Sequence, residues 1–225
     1  MAVVVAAGLG VRMGAGVPKA LLPLAGRPLV AWAVGALQDC DAVDGIVVVA
    51  PPGHEDEMRA AAGPAGKLVA TVPGGATRSR SVARGLAALP PGDGVVLVHD
   101  AARPLAGAAG VAAVLAGIGD ADGAIAAAPL ADTLKREEEG VIAGTVDRSR
   151  LWLAQTPQAF RRPVLEAAFA AADDAALDAA TDCAWLVERA GGRVRLVDLG
   201  APNLKVTTPA DVAVAEALLR AVASP

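Results

Sequence analysis

The stretch MAVVVAAGLGVRMGAGVPK, residues 1–19, joins an apolar strand to a glycine-rich loop that carries two cations. The run AVVVAA predicts a buried strand, and Gly8 and Gly10 follow it closely. Glycine has no Cβ, so this loop lets the backbone come close to an anionic ligand. Arg12 and Lys19 would meet the negative charge there. We therefore expect a phosphate-binding site after the first strand.

Two familiar phosphate-binding motifs do not fit this loop. A Walker loop needs a glycine before its lysine and a hydroxyl after it, whereas Lys19 lies between Pro18 and Ala20. The dinucleotide fingerprint GxGxxG fails at Met13, and no acidic residue ends the second predicted strand. These gaps disfavour a Rossmann NAD-dependent reductase. An ordinary strand-to-helix turn with two surface cations stays open as an alternative.

Composition narrows the class of protein. The chain has 225 residues with 54% hydrophobic content, enough for one well-buried domain, which we predict for residues 1–225. Aromatic residues make up 2% of the chain, which argues against a nucleic-acid surface built on stacked bases. The net charge of -4 argues against general polyanion binding. We expect small-molecule substrates and no nucleic acid.

The mean hydropathy of +0.48 raises the question of a membrane segment. Residues 104–119 carry no charge, but the run is shorter than the roughly 20 residues that span a bilayer and contains mainly small side chains. The amino terminus lacks the cationic region of a secretory signal. Cys40 and Cys183 are too few and too far apart to indicate a disulfide framework. We expect a cytoplasmic protein with no membrane partner.

Apolar runs alternate with helical segments along the chain. The predicted strands are 3–6, 46–49, 68–72, 95–98, 124–127 and 193–199. The predicted helices are 28–38, 55–62, 79–89, 107–117, 163–172 and 181–190, and a closing helix that Thr208 caps follows them. Thr181 and Asp182 are the candidate caps of the helix at 181–190. Continuous apolar strands are typical of a sheet covered on both faces. The pattern predicts an α/β fold, with a Rossmann-like, mainly parallel sheet and helices on both faces.

In this architecture ligands bind at the carboxyl ends of the strands. Three polar loops are predicted there: the glycine loop, the segment PGGATR at 73–78 that leads to Ser81, and the segment HDAARP at 99–104. Each loop alone also fits a structural role as a turn, a helix cap at Thr77 or a solvated salt-bridging corner. Their common position at one edge favours a shared binding site.

The alternating pattern breaks after Asp132. We predict a short strand at 133–135, a charged turn at 136–140 and an extended return at 141–153. Such a ribbon, at about 132–153, has too little core to be stable alone. We expect a β-arm that packs on a second subunit, with a mobile surface hairpin as the alternative.

Eight segments carry a resemblance to a known family, in order and over nearly the whole chain. They are VVAAGLGVRM with Pro18-Lys19, GGATRSRSV (74–82), VHDAARP (98–104), DTLK (132–135), TVDRSRLW (145–152), QTPQAF (155–160), Thr181-Asp182 and NLKVTTPAD (203–211). Together they resemble the 2-C-methyl-D-erythritol 4-phosphate cytidylyltransferases of non-mevalonate isoprenoid biosynthesis. Ribitol 5-phosphate cytidylyltransferases share some of these segments and remain an alternative, but DAARP and TVDRSRLW fit the methylerythritol family better.

The resemblance implies a transferase that joins CTP and 2-C-methyl-D-erythritol 4-phosphate. The acceptor phosphate would attack the α-phosphorus of CTP in line, giving 4-diphosphocytidyl-2-C-methyl-D-erythritol and diphosphate. It also implies Mg²⁺ bound mainly through the CTP phosphates, and a homodimer with β-arm exchange. The attacking phosphate is already ionised near neutral pH, so alignment and charge neutralisation matter more than a strong general base.

The resemblance assigns roles to individual residues. It gives catalytic roles to Arg12, Lys19, Arg148 and Lys205. It places CTP against the backbone of Ala6, Ala7, Gly8, Gly10, Gly75, Ala76 and Ala101 and the side chains of Ser81 and Asp100. The acceptor would meet Arg148 and Lys205 together with Arg103, Thr133, Thr156 and Thr181. No residue is assigned to a metal. Ala76, Cys183 and Pro202 stand where relatives often carry an acid, and Cys183 is given no role.

Overall fold

A computed structural model describes residues 1–10 and 16–223. Its strands are β1 (Ala2–Val5), β2 (Pro23–Leu24), β3 (Arg27–Pro28), β4 (Ile46–Ala50), β5 (Leu68–Pro73), β6 (Val95–Asp100), β7 (Gly123–Pro129), β8 (Leu134–Glu138), β9 (Val141–Val146), β10 (Trp152–Arg161) and β11 (Val194–Asp198). Its helices are α1 (Leu29–Gln38), α2 (Glu55–Ala62), α3 (Arg78–Ala87), α4 (Gly107–Gly117), α5 (Arg162–Ala171), α6 (Asp174–Ala179), α7 (Cys183–Arg189) and α8 (Pro209–Ala223). Within these residues, seven strands form the central sheet, in the order β11-β7-β10-β6-β1-β4-β5.

The sheet is mainly parallel, which confirms the predicted Rossmann-like α/β fold. Strand β1 lies between β4 and β6 and is parallel to both, and β5 and β11 extend the sheet in the same sense. Strand β10 is antiparallel to β6 and β7 and was not predicted. Its pairing with β7 shifts register between Ala154 and Gln158, and burial changes from exposed to buried along it. Because of this change, the sequence of β10 has no single repeating pattern of apolar and polar residues that would predict a strand.

Alternate side chains of the central strands supply two cores, one on each face of the sheet. Val4 is fully buried in the core that holds Leu37 of α1, and Val3 is fully buried in the core that holds Val82 of α3. Each such side chain contributes roughly 1.5–3 kcal/mol when fully buried. A Cβ at Gly85 of α3 would lie 2.4 Å from Val3 Cγ1, so this glycine lets α3 approach β1 closely. The close approach sets the start of α3 beside the carboxyl edge of the sheet.

Strands β8 and β9 form an antiparallel hairpin. The predicted charged turn at 136–140 was wrong in its extent, because β8 continues to Glu138, which pairs with Val141. The turn is confined to Glu139 and Gly140, both at positive φ. Every residue of β8 is exposed, and Val141 and Ile142 of β9 are 69% and 65% exposed. The hairpin therefore buries little of its own apolar surface.

The carboxyl-terminal half differs from prediction at its short helices. Helix α7 begins at Cys183, two residues after the predicted start at Thr181, and its cap is Asp182, which confirms one of the two candidate caps. Helix α6 was not predicted; it has six residues and is capped by Asp173. The cap of α8 by Thr208 is confirmed, since its Oγ1 accepts the Asp211 N–H at 3.3 Å. Within the described ranges, no helix combines the length and apolarity needed to cross a membrane.

Candidate active site

The loops after β1, β5 and β6 meet at the carboxyl edge of the sheet, as predicted. They surround a cavity of about 250 Å³. Its lining comprises Val5, Ala6, Ala7, Gly8, Lys19, Ala20, Gly75, Ala76, Thr77, Arg78, Ser81, Asp100, Ala101, Ala102 and Lys205. We call this cavity the nucleotide pocket. Most of the residues predicted to contact CTP lie here, together with two of the predicted catalytic cations.

Backbone contacts fold the glycine loop back toward the strand end. The Lys19 N–H donates to the Gly8 carbonyl at 3.3 Å, which brings Lys19 to the nucleotide pocket. Gly10 has a φ of 68°, and a Cβ there would lie 2.7 Å from Lys19 Cβ. A side chain at Gly10 would therefore strain the backbone and displace Lys19. Arg12, predicted as its catalytic companion, lies outside the described residues.

The second loop is shaped by one serine. Ser81 Oγ accepts the Gly75 N–H at 3.1 Å and donates to the Thr77 carbonyl at 2.9 Å. Thr77 in turn caps α3 by accepting the Arg80 N–H at 3.3 Å, which confirms the predicted cap. The buried Ser81 hydroxyl thus has a structural partner on each side. Its predicted contact with cytosine would use its remaining acceptor capacity.

Several backbone donors at the pocket are already engaged. The Ala6 N–H donates to the Val49 carbonyl at 2.8 Å, and the Ala101 N–H donates to the Val5 carbonyl at 3.1 Å. These two N–H groups are therefore not free to donate to a ligand, whereas each carbonyl oxygen has two lone pairs with which it can accept. Acceptors of this kind suit the exocyclic amino group of a cytosine base.

Asp100 holds two cations at the bottom of the site. Arg78 donates from Nε and Nη2 to Asp100 Oδ1 at 3.0 and 2.9 Å, and Lys205 Nζ lies 2.7 Å from Oδ2. Burial alone would raise the pKa of Asp100, but the charges of Arg78 and Lys205 hold it well below its usual range. The carboxyl group is therefore ionised throughout the physiological pH range. The predicted contact of Asp100 with the ribose would be made by a carboxylate already held on both oxygens.

Lys205 reaches this site because its segment is tied to the loop after β6. The Val206 N–H donates to the Ala102 carbonyl at 2.8 Å, and Arg103 Nη1 donates to the Asn203 carbonyl at 2.7 Å. Asn203 Nδ2 also donates to the Thr156 carbonyl at 2.8 Å. These bonds bring residues from 47 to about a hundred positions apart in sequence to one edge of the sheet.

His99 is buried between two oxygen atoms. Its Nε2 lies 3.1 Å from the Arg103 carbonyl, which can only accept, so we assign the ring proton to Nε2. Its Nδ1, 3.0 Å from Thr156 Oγ1, then accepts the hydroxyl proton. Burial lowers the pKa of His99 to about 4. His99 is therefore a neutral structural group, and it is not a general base near neutral pH.

A second cavity, of about 160 Å³, adjoins the nucleotide pocket. Four residues predicted to bind the acceptor line it: Arg103, Thr156, Thr181 and Lys205. The remaining lining residues are Arg78, Asp100, Ala154, Gln155, Gln158 and Asp182. We call this cavity the acceptor pocket. Arg103 Nε is buried there without a hydrogen-bond partner among the described residues. The positive charges of Arg103 and Lys205 in the lining suit an anionic ligand.

Thr156 has a more limited role than a free hydroxyl would have. Its Oγ1 accepts the Asp100 N–H at 3.0 Å, and its single proton is directed to His99. The side chain is almost fully buried. Thr156 therefore links β10 to the end of β6, and a ligand could reach it only as an acceptor.

Thr133 and Arg148 are not brought to either pocket within this chain. Thr133 lies just before β8 and Arg148 just after β9, and both are exposed. Neither belongs to the lining of the nucleotide pocket or the acceptor pocket. Their predicted contact with the acceptor stays a prediction that depends on a second subunit.

Arg78 is a residue of the site for which no role was predicted from the sequence. It lies at the first position of α3, directly after the cap Thr77. One sequence signal could have identified Arg78: it lies in a polar loop at the carboxyl edge of the sheet, and Asp100 lies at the same edge. Cys183, another residue without an assigned role, packs against it: Arg78 Nη1 lies 3.8 Å from the buried Cys183 Sγ. Burial raises the pKa of this thiol to about 11, so it is a neutral neighbour.

A mainly parallel sheet with a glycine loop, a loop lysine and a second pocket that Arg103 and Lys205 line at its carboxyl edge defines an α/β protein of the nucleotidyltransferase type. The sequence model described as "IspD: 2-C-methyl-D-erythritol 4-phosphate cytidylyltransferase" matches residues 1–221. The chain belongs to this family. The match confirms the predicted family over the ribitol 5-phosphate and NAD-dependent alternatives.

Relatives of known name agree with this assignment. The chain is 43% identical to the 2-C-methyl-D-erythritol 4-phosphate cytidylyltransferase of Prochlorococcus marinus (strain MIT 9313), with 96% of each chain covered. It is 50% identical to that of Xanthomonas campestris pv. campestris (strain 8004), covering 94% of this chain and 81% of the relative. It is 48% identical to the bifunctional enzyme IspD/IspF of Anaeromyxobacter dehalogenans, covering 97% of this chain and spanning 56% of that protein's length.

A solved structure shows the same fold. The crystal structure of 2-C-methyl-D-erythritol 4-phosphate cytidylyltransferase from Thermus thermophilus superimposes with a TM-score of 0.79 at 37% identity. The comparison covers 97% of this chain and 98% of that chain.

Proposed function

We propose that the protein transfers the cytidylyl group of CTP to 2-C-methyl-D-erythritol 4-phosphate, releasing diphosphate and 4-diphosphocytidyl-2-C-methyl-D-erythritol. One observation carries the proposal. Two pockets adjoin at the carboxyl edge of the sheet, one lined by glycine-loop backbone and Lys19 and the other by Arg103 and Lys205. A transferase that brings two anionic substrates together needs two such sites side by side.

The nucleotide pocket would hold CTP. The carbonyl oxygens of Ala6 and its neighbours would accept from the amino group of cytosine, and the Gly75–Ala76 backbone would close on the base. Asp100 and the Ala101 backbone would face the ribose. Lys19, together with Arg12 of the same loop, would bind the triphosphate, because compact and forked cations stabilise phosphate oxygens.

The reaction would proceed by in-line displacement. An oxygen of the acceptor phosphate forms a bond to the α-phosphorus, and the bond from that phosphorus to the bridging oxygen of the β-phosphate breaks. The electron pair leaves with diphosphate. The attacking phosphate carries its own negative charge, so no protein base is needed, and the residues assigned as catalytic are cations that neutralise the developing charge. Lys205 would orient the acceptor phosphate from the wall between the pockets.

Magnesium would bind mainly through the phosphate oxygens of CTP. Across residues 1–10 and 16–223, no group of three or more His, Cys, Asp or Glu side chains could hold a metal ion. Asp100 is the carboxylate of the nucleotide pocket, and both of its oxygens are engaged by cations. The described part of the chain therefore offers no ligand set of its own here, and the bound ion would shield phosphate charge.

We further propose a cytoplasmic homodimer in which the β8–β9 hairpin reaches the other subunit. Leu134, Val141 and Ile142 of the hairpin are exposed by 40%, 69% and 65%. Exposed apolar side chains on an isolated hairpin favour burial against a partner. Arg148 and Thr133 would then enter the acceptor pocket of the partner subunit. Both cysteines are free and buried, which fits a reducing compartment.

An assay of diphosphate release tests the proposed reaction. The purified protein is given CTP and Mg²⁺ with 2-C-methyl-D-erythritol 4-phosphate, with ribitol 5-phosphate or with no acceptor. We expect release with the methylerythritol phosphate and little release in the other two reactions. Equal or faster release with ribitol 5-phosphate would contradict the proposed acceptor. Light scattering at the assay concentration tests the dimer, and a fully active monomer would contradict it.

A further inference from the structure

The nucleotide pocket and the acceptor pocket share one wall. Among the described residues, three side chains line both cavities: Arg78, Asp100 and Lys205. The three form a continuous ion cluster, with Arg78 on one carboxylate oxygen of Asp100 and Lys205 on the other. The cluster therefore lies at the place where the two substrates would approach each other.

Arg78 changes the charge of this wall. Asp100 paired with Lys205 alone would be neutral, whereas two cations around one carboxylate leave one net positive charge. Cys183, which packs against Arg78, does not cancel that charge because its thiol is neutral. The positive charge lies between two pockets that would each hold an anion, so Arg78 makes the wall attractive to both.

Arg78 also restricts where the Asp100 carboxylate lies. Two donors of one guanidinium converge on a single oxygen, Oδ1, at 3.0 and 2.9 Å. This leaves Oδ2 for Lys205 Nζ, at 2.7 Å. The Asp100 side chain is only 8% exposed, so little water competes with these bonds. Without Arg78, the buried Asp100 carboxylate would pair with Lys205 alone. It would then bind the Lys205 ammonium group more tightly and draw it away from the substrates.

We propose that Arg78 is a positioning residue for the transfer reaction: it holds Asp100 and shares its negative charge, so that Lys205 stays available at the boundary of the two pockets. This inference rests on the proposed function for its substrates. Arg78 would act through Asp100. This distinguishes the proposed role from a direct contact between Arg78 and phosphate, and from a purely structural role in α3.

Three single variants test the role of Arg78. R78Q removes the charge, R78K keeps it but cannot direct two donors at one oxygen, and R80Q is the matched control. Arg80 lies on the same helix and pairs with Asp174 and Asp178 away from both pockets, so R80Q makes the same chemical change and also breaks ion pairs. Thermal unfolding of each variant shows whether it is folded. R78K, the smaller change, keeps the test decisive if R78Q does not fold.

Steady-state kinetics of diphosphate release give the main readout. We expect R78Q to lower kcat/KM for the acceptor about 100-fold, R78K about tenfold, and R80Q less than about threefold. In a D100N background, R78Q should lower kcat/KM by less than about threefold, because the residue through which Arg78 acts has lost its charge. An R78Q enzyme as active as R80Q would overturn the proposal. A full loss that persists in the D100N background would also overturn it, since Arg78 would then act directly or through the fold.

CTP binding without acceptor separates this inference from the proposed reaction. Isothermal titration calorimetry with CTP and Mg²⁺ should show about tenfold weaker binding for R78Q and unchanged binding for R80Q. If the unmodified protein releases no diphosphate with the methylerythritol phosphate, the proposed reaction fails, while the CTP measurement still decides whether Arg78 supports the nucleotide pocket. Equal CTP affinity of R78Q and R80Q would count against the charge argument.

Discussion

His99 makes the folded protein sensitive to mild acid, and His99→Gln tests this. The ring is fully buried at the end of β6, with Nε2 facing the Arg103 carbonyl and Nδ1 facing Thr156 Oγ1. Protonation would place a second proton on Nδ1, where the ring now accepts a hydrogen bond, and would charge a group that has no access to water. Burial opposes the charged ring most strongly, and the charges of Arg103 and Arg78 add to it, whereas the Asp100 carboxylate and the Arg103 carbonyl favour the charge. Glutamine cannot be protonated in this range, so it removes the titration.

The size and sign of the effect follow from the two pKa values. Burial lowers the pKa of His99 from 6.5 to about 4. The unfolded chain therefore takes up a proton near pH 6.5, while the folded protein does not until near pH 4. The stability linked to His99 is complete above the higher value and is lost as the pH falls toward the lower one. Each pH unit in this window costs up to about 1.4 kcal/mol, or roughly 3 kcal/mol in total.

Urea unfolding across this pH window measures the effect. The free energy of unfolding of the wild type should fall more steeply with decreasing pH than that of H99Q, and the difference between them should change by roughly 3 kcal/mol. H54Q removes the other histidine of the chain, a partly exposed residue at the start of α2, and serves as the matched control. If H99Q keeps the wild-type dependence on pH, the buried neutral ring is not the cause of the acid sensitivity.

Three further outcomes are expected. Lys19→Ala should lower kcat about 100-fold, because it removes a cation from the nucleotide pocket, and near wild-type turnover would contradict its assignment. Mixing inactive R148A and K205A proteins should restore about a quarter of wild-type activity, since half the dimers are mixed and one of their two sites is intact. No restored activity would count against arm exchange. Asp182→Ala should lower the free energy of unfolding, measured in urea, by about 1–2 kcal/mol, because Asp182 caps α7 and also accepts a hydrogen bond from the Gln158 side chain. Asp173→Ala removes only the cap of α6, so it should lower the free energy of unfolding by less.

Much of the sheet and of its functional edge could be predicted from local patterns. Continuous apolar runs such as 46–49 indicate buried parallel strands, and the loops that follow such strands share one edge. The elements that were missed lack a repeating local signal. Strand β10 changes from exposed to buried along its length, and α6 is only six residues long. The start of α7 depended on which of two adjacent polar residues caps it, and the structure gives the cap to Asp182.

Local sequence patterns were enough to predict the family, the order of most strands and helices along the chain, and the loops that supply Lys19, Asp100 and Lys205. The pairing of those residues could be read from the folded chain alone. Asp100 holds Arg78, 22 positions away, on one carboxylate oxygen and Lys205, 105 positions away, on the other. Local patterns reflect the burial and backbone preference of each segment, whereas ion pairs and the protonation of a buried ring depend on distances across the sheet. Those distances exist only once both cores have packed.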